Sequence, residues 1–161
     1  MLAEILGGSQ ATSVLGRHLS YDSKIATYTS AYYDGTSIDD ATFGLMVMPA
    51  PDVSLADAEA ELDKVLDDFL KNGPDPAALE RIRTQVRAGE IYARDNVESL
   101  ANRYGQELSV GLTMTDIESW DEALAAVTAE DVMAAARKVL DRKNAVTGWL
   151  TRPATEGEAT P

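Results

Sequence analysis

Two short runs of strand-forming residues, and the turn between them, limit most sharply what this chain can fold into. "IATYTSAYY" (Ile25 to Tyr33) is rich in β-branched and aromatic residues and nearly alternates in polarity, the pattern of a half-buried strand. "ATFGLMVMPA" (Ala41 to Ala50) reads as a second strand, closed by Pro49 and Pro51. Asp34-Gly35-Thr36-Ser37 between them is turn chemistry. The pair predicts an antiparallel hairpin.

Helical spacing surrounds that hairpin. Leu2, Ile5 and Leu6 already lie on one helical face, and Gly7-Gly8 is expected to stop this helix by taking the left-handed cap conformation. Ser9 or Thr12 is then expected to open a helix that buries Val14, Leu15 and Leu19. After the hairpin, Ser54-Leu-Ala-Asp57 caps a stripe of Leu55, Ala58, Leu62, Val65, Leu66, Phe69 and Leu70, which ends at Asn72-Gly73-Pro74. Asp75-Pro76 starts the next helix, with proline in its favoured first turn, and Leu79, Ile82, Val86 and Ile91 continue it. A break falls near Asp95-Asn96, and "VESLANRYGQELSVG" runs on helically to Gly111.

Thr115-Asp-Ile-Glu118 reads as a capping box and Thr128-Ala-Glu-Asp131 as a near one. They predict two more helices, one with Trp120 and Leu124, the other with Val132, Val139 and Leu140. "NAVTGWL" (Asn144 to Leu150) reads as a last strand and "TRPATEGEATP" as a polar, flexible tail. This order predicts an α+β fold of two layers, an antiparallel sheet with helices packed on one face. It is expected to form a single domain over residues 1–150, with residues 151–161 as the tail. Because the chain opens inside a helix, it reads as a piece of a longer protein.

The chemistry the chain can carry is narrow. Lys and Arg number 14 against 27 Asp and Glu, a formal net charge of −13. Such a field opposes nucleic acid and anionic lipid, which need a basic patch; it reads as the ordinary solubility of an acidic surface or as an attraction for cationic peptides. No apolar run reaches the ~18–20 residues of a membrane helix. Without cysteine there is no thiolate site, and with His18 as the single histidine both H-E-x-x-H and H-x-x-E-H are impossible. The glycines at 7 and 8 are followed by no lysine until Lys24, so they make no phosphate loop. Asp39-Asp40 and Asp67-Asp68 lack calcium-loop spacing, and no G-x-S-x-G elbow exposes a nucleophile. No catalytic and no metal-ligating residue is expected in this chain.

The segment "LAEILGGSQATSVLGRHLSYDSKIATYTSAYYDGTSIDDATFGL" nevertheless resembles the C-terminal half-domain of the insulinase-like (pitrilysin, or inverted-zincin) metallopeptidases, above all the bacterial processing-protease branch. The likeness continues through "VMPAPDVSLADAEAELDKVLDDFLKNG", "LERIRTQVRAGEIYARDNVESLANRYGQELSVGL" and "VTAEDVMAAARKVLDRKNAVTGWL", and so covers about residues 1–150. It implies a mitochondrial-processing-peptidase-like metallohydrolase half-domain, paired with a homologous one around a peptide. In that family zinc is held in the N-terminal partner domain by an H-x-x-E-H helix and a distal glutamate, and zinc-activated water attacks the peptide there. The half-domain resembled here carries no zinc ligands.

The resemblance also points to two positions in this chain. Many members carry an arginine and, seven residues later, a tyrosine that polarise the substrate carbonyl. Those positions fall on Ser20 and Thr27, which offer neither the charge nor the phenol, and Val14 stands where an arginine commonly follows the first serine. Arg17, Lys24 and Tyr28 lie near, though strict strand alternation would turn Tyr28 away from Thr27. The function implied is a non-catalytic, substrate-holding lobe of a zinc metallopeptidase, inactive alone. Its partners would be the N-terminal zinc-binding domain or a partner subunit and a peptide substrate; a homodimer is a further arrangement open to it. The other reading is a scaffold subunit using the same fold without proteolysis. Periplasm and cytoplasm are equally compatible.

Overall fold

The computed structural model describes residues 1–93 and 95–151. In chain order it has α1 (Leu2–Gly7), a π-helix (Gly16–Asp22), β1 (Ala26–Tyr33), β2 (Phe43–Pro49), α2 (Leu55–Asn72), α3 (Pro76–Ala93), α4 (Val97–Ser109), α5 (Met114–Glu118), α6 (Trp120–Ala126), α7 (Ala129–Val139) and a 3₁₀ turn (Arg142–Asn144). The tail predicted over 151–161 lies, beyond Thr151, outside the described residues.

β1 and β2 form the predicted antiparallel hairpin, with Tyr28 opposite Met48, Thr29 opposite Val47 and Tyr33 opposite Phe43. Asp34 caps the connection, its carboxylate accepting from the Thr36 amide at 3.0 Å and hydroxyl at 2.8 Å. Side chains alternate across a strand, so Thr29, Ala31, Leu45 and Val47 share one face. Helices cover that face: Leu45 and Val47 pack with Leu15, Leu19 and Ala26 of one core cluster, while Ala31, Phe43 and Leu45 pack on Leu2, Leu6, Phe69, Ile82 and Val132 of the other. The fold class is therefore the predicted one, an antiparallel sheet with helices on one side.

Local signals place most helix ends. The Ser54 side chain accepts from the Asp57 amide to open α2, and Gly73 at φ 74° closes it, a left-handed conformation that glycine adopts freely. Pro76 is the first residue of α3, and Asn96 caps α4 after the predicted break. Thr128 and Asp131 make a reciprocal capping box at α7.

Four expectations are corrected. Gly7 and Gly8 do not cap by left-handed geometry; Gly8 has φ −65°. They are required by close approach instead, because a Cβ on Gly7 would lie 2.8 Å from the Ala31 Cβ, and one on Gly8 would lie 2.7 Å from the Glu4 carbonyl oxygen. The segment after them is opened by neither Ser9 nor Thr12: buried Ser13 accepts from the Gly16 amide at 3.2 Å, and the chain then winds as a π-helix. The box before α5 is Thr113 with Asp116, two residues earlier than Thr115, because Asp116 reaches back to both the Thr113 amide and hydroxyl at 2.8 and 2.7 Å. Finally, residues 145–150 form no strand. Their apolar side chains find no sheet edge among the described residues, and Val146 and Leu150 are 97% and 94% exposed.

Candidate functional site

The joint between the π-helix and β1 carries both positions singled out from the sequence. A π-helix shares its hydrogen bonds one residue further back than an α-helix, and such turns are frequent at functional sites. Here it ends with the Ser23 amide donating to the His18 carbonyl at 3.0 Å. Lys24 then reverses the chain at φ 57°, a left-handed conformation rare for a residue with a side chain.

Ser20 sits within the π-helix. Its hydroxyl oxygen is shut off from solvent and has no hydrogen-bond partner among the described residues. Thr27 lies on β1, where the register slips between Ala26 and Tyr28, so it is the extra residue of a bulge. Its hydroxyl donates to the Met48 carbonyl at 3.2 Å. No hydrogen bond joins Ser20 and Thr27. The bulge also breaks the strict alternation expected of the strand, so Thr27 and Tyr28 are both exposed. Arg17 is exposed on the π-helix.

Beyond the bulge, the face of the hairpin turned away from the helices is apolar and open. Tyr28 pairs across with Met48, Ser30 with Met46 and Tyr32 with Gly44, and Tyr28, Tyr32, Met46 and Met48 are all exposed. Tyr32 lies over Gly44, where a Cβ would collide with its ring. The face is thus a shallow strip of two phenols and two thioethers, adaptable in shape and rich in contact area. The residue that secures its edge could not be found from pattern. Gln10 accepts from the Thr29 amide at 3.3 Å and donates to the Thr29 carbonyl, so its side chain stands in for a neighbouring strand.

Residues 1–86 match the family described as the peptidase M16 inactive domain. The chain belongs to that family. No curated protein matches it. Among solved structures it is similar to a protease from Helicobacter pylori, with a TM-score of 0.77 and 16% identity over 87% of this chain. It spans 33% of that protease. It is similar also to a protein assigned as a zinc protease from Bordetella pertussis Tohama I, with a TM-score of 0.75 and 17% identity over 89% of this chain and 77% of the other. A third likeness is to the inactive peptidase domain of a protein so assigned from Bordetella parapertussis, with a TM-score of 0.76 and 16% identity over 95% and 82%. At these identities the likeness establishes the fold, and the inactive-domain assignment rests on the family match.

The donors of this inactive domain do not fit the zinc that its relatives' names imply. His18 stands at the surface with its Nδ1 3.7 Å from the Asp22 carboxylate. Among the described residues no three of His, Asp and Glu gather where one ion could bind them.

Proposed function

We propose that this inactive domain is the substrate-holding lobe of a zinc-dependent peptidase whose metal ligands lie in an N-terminal domain or a partner subunit. The observation that carries the reading is the exposed strip of Tyr28, Tyr32, Met46 and Met48 on the uncovered side of the hairpin. An extended peptide laid over it would bury apolar area on rigid strands, while the bulge at Thr27 offers a polar edge. The family match and the likeness to proteins named as proteases support it. In place of a charged or phenolic polarising pair, Ser20 and Thr27 would contribute only shape: Ser20 beneath the surface, Thr27 at it. The acidic balance of the chain favours basic peptides over acidic ones.

The test is hydrolysis of fluorescein-labelled casein by the zinc-binding partner, with and without the full chain. Cleavage is expected only when both are present, and Tyr28→Ala with Met48→Ala should raise KM about threefold or more with kcat little changed. A partner that cleaves equally well without this chain would overturn the proposal and leave a scaffold role.

A further inference from the structure

A second apolar surface lies on the helices that follow the sheet, apart from the hairpin strip. On α4, Val97, Tyr104 and Leu108 are spaced by seven and four residues and so fall on one stripe of the helix. An amphipathic helix normally turns such a stripe into a core, yet no residue of α4 is buried. Val97 is 78% exposed and Leu108 44%. The chain then reverses at Gly111, at φ 94°, and presents Leu112 and Met114, both exposed, before Trp120 opens α6 at 50% exposure. α5 packs against both α4 and α6, which keeps these side chains on neighbouring elements. Exposed apolar surface of this kind marks an interaction site.

Charge decides what covers it. Across α4 to α6, from Val97 to Ala126, the sequence holds six acids, Glu98, Glu107, Asp116, Glu118, Asp121 and Glu122, against the single base Arg103. Arg103 pairs with Glu107 at 3.0 Å. A second copy of the chain would bring the same acids and the same net charge of −13, so self-association is opposed. We infer that the α4–α6 surface docks an amphipathic helix of a partner protein, its apolar stripe flanked by lysine or arginine. The apolar contacts would supply affinity, and the basic flanks would set partner choice and association rate. The inference is independent of the peptide-holding role, since it draws on none of the hairpin residues.

The test uses the full chain carrying Trp149→Phe, so that Trp120 is the remaining tryptophan. Two synthetic helical peptides share a leucine stripe; one is flanked by lysine, the other by glutamate. The lysine peptide should shift Trp120 emission to the blue and bind at least tenfold more tightly than the glutamate peptide. Val97→Glu with Leu108→Glu, two exposed sites whose change should leave the circular dichroism intact, should weaken it at least tenfold. Equal binding of the two peptides, no binding of either, or undiminished binding by the double variant would overturn the inference. So would a concentration-dependent dimer in sedimentation that the double variant abolishes, which would make a second copy the occupant.

Discussion

Gly7 and Ala31 meet so closely that α1 can lie on β1 only because residue 7 has no side chain: a Cβ there would overlap the Ala31 amide nitrogen and the Ser30 carbonyl carbon. Both obstacles are backbone, which cannot rotate aside. Gly7→Ala should therefore destabilise the fold by about 3 kcal/mol, at the upper end of overpacking effects. Gly105 is the matched control. It lies within α4, where a Cβ would meet nothing within 4 Å, and Gly105→Ala should stabilise by about 0.5–1 kcal/mol through helix propensity alone. Thermal denaturation of the two variants checks both signs; equal effects would refute the close-approach account.

The two reciprocal boxes at Thr113–Asp116 and Thr128–Asp131 give stability a specific pH dependence. Hydrogen bonds from the threonine hydroxyl and then the threonine amide hold each aspartate below its ordinary value. A depressed carboxylate contributes stability above the unfolded pKa of ~3.9, and that contribution is lost as pH falls through the folded value. Thr128→Ala should cost about 1 kcal/mol at neutral pH, as threonine caps do. The gap between native protein and a Thr113→Ala, Thr128→Ala double variant should stay constant from pH 7 to about 5 and narrow below pH 4. Urea denaturation across that range measures it, and a gap that widens toward acid would reverse the sign assigned here.

What the sequence discloses and what it hides divide along the range of the interaction. The hairpin, the Ser54 cap, the Pro76 start and the Asn96 break depend on neighbours within a few residues, so they are legible before any fold exists. Gly7 is legible as punctuation and misleading as to cause, because its constraint comes from Ala31, 24 positions on and across the layer. Gln10 beside Thr29 is invisible for the same reason. The bulge at Thr27 could not be foreseen either, since it is set by register against Pro49 and Met48. Residues 145–150 show the converse: their alternation is strand-like, but a strand requires an edge, and the described residues offer this segment none. Ser20 and Thr27 can be singled out from the sequence as positions, whereas the strip of Tyr28, Tyr32, Met46 and Met48 depends on the hairpin register and cannot.

Ser20 provides a test of the joint itself. A buried hydroxyl without a partner carries a desolvation penalty and returns nothing for it. Ser20→Ala should then leave stability unchanged or raise it by about 1 kcal/mol, which is ~3 °C in melting temperature for a chain of this size. Casein hydrolysis in the reconstituted enzyme should not change, because the hydroxyl has no exposure through which to touch a peptide. A fall in melting temperature would show that the hydroxyl is bonded after all.

Beyond Leu140, which packs on the core, the segment after α7 meets α2 through charge and an indole. Arg142 reaches Asp63 at 3.0 Å and Asp67 at 3.6 Å, and the Trp149 Nε1 donates to Glu59 at 3.0 Å. Glu59, Asp63 and Asp67 are spaced by four along α2 and so form one acidic stripe beneath the segment. Arg142 is 59% exposed, so solvent screens these pairs and Arg142→Ala should cost less than about 1 kcal/mol of global stability. The local effect is larger. In a Trp120→Phe background, Arg142→Ala or 1 M salt should lower the anisotropy of Trp149 and move its emission to the red, since both remove the clamp that keeps the indole on α2. Unchanged anisotropy in the variant would mean that the Glu59 hydrogen bond alone positions this segment, and Glu59→Gln would then be the change that frees it.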